Sequence, residues 1–154
     1  MLTIEEFENF LKTNVPMIEY SGMSILKLDE DQSVIKMPFI SQNMNHVQSM
    51  YFASLAIGAD AAAGVLALYN LNIKNVNSTV VFKDFKANFI RRANSDVFFI
   101  CKDREIINDS INLATEKRER VNFPVRVVAT QDLNKIDPVA EFKLTVSIKL
   151  IKES

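Results

Sequence analysis

The sequence predicts an α+β fold in which an antiparallel sheet is wrapped around one long, apolar helix. Strand-like segments outnumber helical ones, and hairpin-type connections between them are typical of an antiparallel sheet. One helical segment, at about residues 49–69, is far more apolar than the others and rich in alanine, as expected for an enclosed helix. With 154 residues and no linker or repeat, the chain is predicted to form one domain, residues 1–154.

The first predicted element is a short amphipathic helix at residues 3–14. Thr3 is its expected N-cap, and Glu6 stands three residues later, which is the spacing of a capping box. Apolar residues at helical spacing follow, and a proline is expected to end the helix. Two strands are predicted next, at residues 23–28 and 34–39, joined by the polar turn "DEDQ".

The long helix is predicted at about residues 49–69, with Ser49 as its N-cap. Nine Ala and Gly residues lie between Ala53 and Ala67, and such small side chains let other backbone approach closely. Asp60 is the only charged residue in this segment. A carboxylate in an apolar helix costs several kcal/mol when it is left unpaired. We therefore expect Asp60 to be hydrogen-bonded, solvated or used in chemistry, where burial would raise its pKa toward the range of a base.

The second half of the chain is mostly strand-like. "STVVFKDFKANFI" and "SDVFFICK" are rich in β-branched and aromatic residues, with "RRANSD" as the turn between them. Val81, Phe85 and Phe89 are predicted to share one face. A charged amphipathic helix is predicted at residues 103–120. Two strands end the chain, "VNFPVRVVAT" and "VAEFKLTVSIKLIK", and the strict alternation of the second predicts burial on one face only.

Composition excludes several kinds of function. Eighteen basic and nineteen acidic residues leave no positive surplus for nucleic-acid binding. One histidine and one cysteine cannot form a Cys/His zinc site, and three glycines provide no phosphate-binding loop. No nucleophile-elbow motif accompanies the histidine. We expect neither a metal nor a cofactor, which leaves carboxylates, hydroxyls and backbone amides as the reactive groups.

Cellular location is predicted from the N-terminus, the long helix and the cysteine. The acidic, amphipathic N-terminus is unlike a secretory signal. The apolar run at residues 50–71 is too weakly hydrophobic to be the better candidate for a membrane span. The single Cys101 cannot form an intrachain disulfide, which suits a reducing compartment. We expect a cytoplasmic protein.

The segment "NHVQSMYFASLAIGADAAAGVLAL" resembles the central helix of hotdog-fold acyl-thioesterases. It is most similar to a thioesterase-like branch with a pattern close to N-H-x-G-T-M-Y-A-G-A-L-x-A-L-A-E. Asp60 stands where that pattern has its acid, and "DFKANFIRRANSDV" is similar to the strand–turn–strand that follows. The resemblance covers roughly residues 15–152. Five further residues match the pattern: Asn45, His46, Met50, Tyr51 and Leu55.

The resemblance implies a hotdog fold and a thioesterase function in acyl or fatty-acid metabolism. It implies a homodimer or dimer of dimers with active sites at the subunit interface, and an acyl-CoA or acyl-carrier thioester as substrate. Asp60 inherits the role of general base or nucleophile, and amides near residues 50–53 that of oxyanion donors. Eight residues are the predicted substrate-binding set: Asn45, His46, Met50, Tyr51, Phe52, Ala53, Arg91 and Arg92.

Departures from the family pattern keep other functions open. Phe52-Ala53 stands where many relatives have Gly-Gly, and a phenylalanine there would narrow or redirect the pocket. A non-catalytic acyl-CoA-binding or regulatory protein is therefore the main alternative. A dehydratase or isomerase is a third possibility, but it would need a histidine beside the acid, and His46 lies fourteen residues before Asp60. A loop histidine and a solvated Arg91-Arg92 turn are the plain structural alternatives.

Overall fold

The computed structural model describes residues 2–151, and in that part of the chain one six-stranded sheet accompanies four α-helices. The helices are α1 (Ile4–Asn14), α2 (Pro16–Ser21), α3 (Phe52–Ile73) and α4 (Arg104–Lys117). The strands are β1 (Ser24–Leu28), β2 (Ser33–Met37), β3 (Ser78–Phe89), β4 (Val97–Cys101), β5 (Val121–Thr130) and β6 (Pro138–Leu150). The strand order is β1-β2-β4-β5-β6-β3, and each neighbouring pair is antiparallel.

The sheet wraps around α3, which contacts all six strands. The middle of the helix is fully enclosed, because Ala62, Val65 and Leu66 have no exposed surface. Small residues make this enclosure possible: the ring of Phe99 from β4 lies where a side chain on Gly58 would begin. The predicted α+β class and the hotdog arrangement of sheet and helix are confirmed.

The helix is also long and apolar enough to cross a bilayer by length and composition alone. A buried core helix meets the same two criteria, and α3 is packed inside the sheet.

The start of the chain folds as the capping box predicts. Thr3 accepts a hydrogen bond from the backbone N–H of Glu6 at 3.2 Å, and the Glu6 carboxylate accepts one from the backbone N–H of Thr3 at 2.6 Å. From α1, the Glu8 carboxylate accepts the backbone N–H of Ile25 at 2.8 Å. This helix therefore shields β1, which is one edge of the sheet. The short helix α2, which starts at Pro16, was not predicted.

The central helix differs from the prediction at both ends. It begins at Phe52 with Tyr51 as N-cap, and it ends at Ile73. Ser49 is therefore not the N-cap; its hydroxyl is hydrogen-bonded to Asn45 in the preceding loop. Ser49 lies two positions before the observed N-cap, and its residue type alone made it resemble a cap, because the sequence does not show that its hydroxyl is used within the loop.

The place of β3 in the sheet could not be predicted. The "RRANSD" turn joins β3 to β4 along the chain, but these strands are not neighbours: β3 lies at the far edge and pairs with β6. A bulge between Phe82 and Asp84 also reverses the side-chain alternation. Val81 lies opposite Ser147, on the outer face, whereas Phe85 lies opposite the buried Leu144. The prediction that Val81, Phe85 and Phe89 share a face is wrong for Val81.

The helix α4 fills a gap in the sheet. β4 pairs with β5 only over Phe98–Ile100, and α4 packs beside the unpaired part of β5 and against α3. Ile107, Ile111 and Ala114 are buried at its inner side, as their helical spacing predicts. The last strand ends at Leu150; its predicted end at Lys152 lies outside the described residues.

The two glycines of α3 provide a matched test of how tightly the helix is enclosed. A Cβ at Gly58 would overlap the buried ring of Phe99, whereas a Cβ at Gly64 would lie 3.7 Å from the ring of Phe82, an ordinary contact. We expect Gly58→Ala to lower the free energy of unfolding by about 1–3 kcal/mol through overpacking. Gly64→Ala should be neutral or stabilising by up to about 1 kcal/mol, because alanine favours the helix.

Chemical denaturation of both variants would measure these two differences. Equal stability of the two variants would contradict the close approach of Phe99 to α3.

Candidate functional site

Asp60 lies on the side of α3 that faces the sheet edge formed by β3. Gly64, one helical turn later on the same side, faces β3, because a Cβ placed on it would lie 3.7 Å from the ring of Phe82. The side chain of Asp60 is partly buried, and within residues 2–151 it has no hydrogen-bond or ion-pair partner. It is therefore a carboxyl group enclosed by apolar neighbours but still reachable by solvent.

Burial alone raises the pKa of the Asp60 carboxyl from an ordinary 3.8 to about 6. Water is displaced from the charged form and no partner replaces it, so the protonated form is favoured. A carboxylate with a pKa near 6 is largely deprotonated at pH 7 and is a stronger base than an exposed aspartate. Its environment thus suits proton abstraction.

The N-terminus of α3 presents free backbone donors. No side chain caps it, and the N–H of its N-cap Tyr51 is already donated to the carbonyl of Asn43 at 2.7 Å. The N–H of Leu55 is the first to bond back to the helix, to Tyr51 at 3.1 Å. The N–H groups of Phe52, Ala53 and Ser54 are therefore available to polarise a carbonyl oxygen, aided by the helix dipole.

Asp60 and these amides are too far apart to act together within one chain. Eight residues of helix separate Phe52 from Asp60, or about 12 Å along the axis. A reacting carbonyl must lie about 3 Å from both its oxyanion donors and its attacking group. One chain therefore holds two halves of a possible site that do not meet.

The loop before α3 is held by Asn45. Its side-chain oxygen accepts the backbone N–H groups of Val47 and Ser49, each at 3.1 Å. Gln48 adopts a left-handed conformation with a φ of 57°. His46 is exposed at this loop and makes no hydrogen bond within the described residues. Asn45 thus has a structural role in the loop. The substrate contacts predicted for Asn45 and His46 stay predictions.

Aromatic rings connect the start of α3 to the sheet. Phe52, 58% exposed, lies with its ring centroid 5.0 Å from Tyr51 and 6.2 Å from Phe89. Phe89 in turn contacts Phe142 at 6.1 Å, and Phe142 contacts Phe85 at 5.5 Å. Phe85 and Phe89 point to the inner face of the sheet and yet remain 43% and 47% exposed. An open apolar surface therefore lies beside the free amides.

The other predicted binding residues are placed unevenly around this surface. Ala53 is partly buried in the first turn of α3, and Met50 is buried, with its N–H donated to Ala93 at 2.8 Å. Arg91 is bound to Asp137, through an ion pair and a hydrogen bond to the carbonyl, both at 2.7 Å. Arg92 is exposed and has no ion pair among residues 2–151. Of the two arginines, Arg92 is the one with a free guanidinium group.

The free edge of the sheet was not predicted from the sequence. β3 has twelve residues, and within residues 2–151 it is hydrogen-bonded to another strand on one side only, to β6. Val81, Phe85 and Phe89 along it, and Ile90 just after it, are between 43% and 49% exposed. Their apolar character was visible in the sequence, but edge position depends on long-range pairing and gives no local signal.

The comparisons with known proteins bear on this fold. A family model described as a domain of unknown function, DUF4442, matches residues 4–148. The chain belongs to the DUF4442 family. No curated protein matches the sequence significantly.

Several solved structures share the fold of this DUF4442 chain. A Pseudomonas aeruginosa protein of unknown function called "Probable Thioesterase" is 22% identical with a TM-score of 0.82, covering 97% of both chains. A Chlorobaculum tepidum protein of unknown function is 18% identical with a TM-score of 0.84, covering 96% of this chain and 94% of the other. A thioesterase from Haemophilus influenzae is 17% identical with a TM-score of 0.71, covering 99% and 94%. At these identities the likeness shows the hotdog fold alone.

The buried carboxyl of Asp60 predicts a specific dependence of stability on pH. The pKa of Asp60 is higher in the folded than in the unfolded chain, so the folded state holds the proton more tightly and loses stability as pH rises from about 4 to about 6. Asp60→Asn removes this loss. We expect the variant to be more stable than the wild type by about 1–3 kcal/mol at pH 8 and equally stable below about pH 4.

Denaturant unfolding at fixed protein concentration across this pH range would measure the difference. Glu116→Gln, which neutralises an exposed carboxylate on α4, is the control and should show no such trend. A difference between wild type and Asp60→Asn that stays constant with pH would contradict the raised pKa.

Proposed function

We propose that this protein is a hydrolase of acyl thioesters, with coenzyme A or an acyl carrier as the thiol component. The observation that carries the proposal is Asp60: a partly buried, unpartnered carboxyl group in the enclosed helix, with its pKa raised to about 6. Maintaining such a group lowers stability, so a purely structural role explains it poorly. The thioesterase names of structural relatives agree with this proposal.

The proposed reaction uses only groups of this chain and water. The Asp60 carboxylate removes a proton from a water molecule, whose oxygen attacks the thioester carbonyl carbon. Alternatively, the carboxylate attacks directly, and water then hydrolyses the resulting anhydride. The first-turn amides of α3 donate hydrogen bonds to the carbonyl oxygen as it becomes negative. The C–S bond then breaks, and the thiolate leaves and takes up a proton.

The 12 Å separation of the two half-sites leads us to propose a homodimer in which each site combines both chains. The two edges of the sheet differ in a way that indicates the interface. β1 is short, and the Glu8 carboxylate occupies the backbone N–H of Ile25. β3 is long and uncovered, with exposed apolar side chains. Long apolar edges of this kind recruit another strand, and a second copy related by a twofold axis would satisfy it.

The open aromatic surface is the proposed site of the acyl group. Phe85, Phe89 and Phe142 lie next to one another on the inner face of the sheet. Burying a flexible apolar chain or ring against such side chains is favourable by about 25 cal/mol per Å² of apolar surface. Arg92, the free arginine in the β3–β4 connection, is the proposed contact for a charged part of the carrier.

A second candidate function, acyl-thioester binding without turnover, is favoured by Phe52. Its ring is exposed in the first turn of α3, between Tyr51 and Phe89. A bulky ring at this position restricts how closely a thioester approaches the free amides. Tight binding of acyl-CoA by the wild type with no measurable hydrolysis would establish this alternative.

Removing the base should abolish hydrolysis while leaving binding intact. We expect Asp60→Asn to lower kcat for an acyl-CoA substrate by at least about 100-fold with little change in KM, because proton abstraction typically contributes 10²–10⁴-fold. Wild-type kcat should rise with pH through about 6, as the Asp60 carboxyl loses its proton at its raised pKa.

A panel of acyl-CoA esters, followed by thiol release, would measure both effects. Glu116→Gln should retain full activity. Unchanged hydrolysis by Asp60→Asn would refute the role of this residue.

The shared site can be tested by mixing two inactive variants. Ala53→Pro removes one first-turn N–H, and because this N–H has no partner within the helix, no helical hydrogen bond is lost. Refolding it together with Asp60→Asn would produce mixed dimers in which one site has both an intact base and intact amides. We expect about one quarter of wild-type activity, because half of the dimers are mixed and each has one working site.

Activity after mixing would be compared with each variant refolded alone. No recovery in the mixture, although each variant folds and dimerises, would contradict a site composed from two chains.

A further inference from the structure

Three basic side chains stand directly opposite one another on the outer face of the sheet. Arg126 of β5 pairs in register with Lys143 of β6, and Lys143 pairs with Lys86 of β3. All three residues are exposed. The neighbours of Lys143 along β6, Phe142 and Leu144, are buried on the inner face, so this cationic row points away from α3.

The side chains of the cationic row are not ion-paired. Within residues 2–151, none of its three side chains forms an ion pair. Of the nearby carboxylates, Asp84 accepts the hydroxyl of Thr145 at 2.6 Å, and Glu141 lies one row further along the sheet. Like charges directly opposite one another on neighbouring strands destabilise a sheet. The row therefore lowers the stability of the empty protein.

The cationic row also borders a groove on this face. The groove has a volume of about 990 Å³ and lies between β5, β6 and the first turns of α4. Arg126 and Lys143 line it, together with Lys102, whose ammonium group makes no ion pair in the described part of the chain. Three unpaired cations thus converge on one concave surface.

The carboxylates of the groove are partly occupied elsewhere. Asp31 is bound to Arg104 at 2.5 Å. Asp103 accepts the backbone N–H of Arg126 at 2.6 Å, and because it does so it does not cap α4. The first-turn amides of this fourteen-residue helix are therefore left without a side-chain acceptor at the groove. Glu105 and Asp109 are the remaining acids, and both project from α4, across the groove from the row.

We propose that the groove and the cationic row bind a ligand with at least two phosphate groups. Lysine and arginine donate charge-assisted hydrogen bonds to phosphate oxygens, and neighbouring strands are about 4.8 Å apart, so the row spans about 10 Å. That length exceeds one phosphate group and matches a diphosphate or a longer phosphate chain. The site lies on the opposite face of the sheet from Asp60, so it does not depend on the proposed thioesterase activity.

Calorimetric titration with pyrophosphate tests this proposal on the full chain. We expect saturable binding by the wild type and about tenfold weaker binding by Lys143→Gln and by Arg126→Gln, since each loses one charge-assisted contact. Inorganic phosphate should bind at least about tenfold more weakly than pyrophosphate, because it spans fewer of the cations.

Lys149→Gln is the matched control. Lys149 is also an exposed lysine on the outer side of β6, but it lies opposite Thr79 rather than another cation. This variant should bind pyrophosphate like the wild type. At low salt, Lys143→Gln should melt about 1–3 °C above the wild type, because it relieves the repulsion, and Lys149→Gln should not.

Three results would overturn the proposal. They are a wild type that fails to bind millimolar pyrophosphate, equal affinities of Lys143→Gln and Lys149→Gln, and equal binding of phosphate and pyrophosphate. A lower melting temperature for Lys143→Gln than for the wild type would refute the repulsion within the row.

Discussion

The enclosure of α3 by the sheet is the constraint on which the rest of this structure depends. Strands approach the helix closely because alanine and glycine cover most of its surface, and at Gly58 the ring of Phe99 takes the space of a side chain. A helix so enclosed has little room for polar groups. The one carboxyl group it retains, that of Asp60, is consequently desolvated, and its pKa is raised for that reason alone. The same packing that stabilises the fold thus makes the Asp60 carboxyl a stronger base than an exposed aspartate.

Local sequence patterns predicted what depends on neighbouring residues. The Thr3–Glu6 capping box, the burial of Ile107 and Ile111, and the enclosed central helix follow from spacing and side-chain size. The sequence patterns gave wrong or incomplete predictions where the structure depends on contacts between segments outside the local pattern. Tyr51 rather than Ser49 precedes the helix, because Asn45 binds Ser49 within the loop. The bulge beside Phe82 and the edge position of β3 result from pairing with β6, some sixty residues away.

The candidate site was predicted in part for the same reason. Asp60 stood out because a single charge in an apolar helix is visible in the sequence, and the family resemblance gave it a role. The distance between Asp60 and the first-turn amides can also be calculated from the sequence, since helix rise is constant at about 1.5 Å per residue. The proposal drawn from this distance, a site composed from two chains, also depends on the free edge of β3, which only the structure reveals. The cationic row was hidden because its members lie 17 to 57 residues apart in the sequence and meet only when β3, β5 and β6 pair.

The two edge strands of the sheet differ in how well their backbone and side chains are covered by the rest of the chain. At β1, the chain itself supplies a helix, a carboxylate acceptor for Ile25 and a bulge, all of which discourage further pairing. At β3, twelve residues of backbone and a surface of exposed phenylalanines remain uncovered, on the side of α3 where Asp60 lies. The covering of β1 protects that edge of the sheet against unspecific pairing with strands of other molecules. The apolar edge left open at β3 is therefore where we propose that a second copy completes both the sheet and the site.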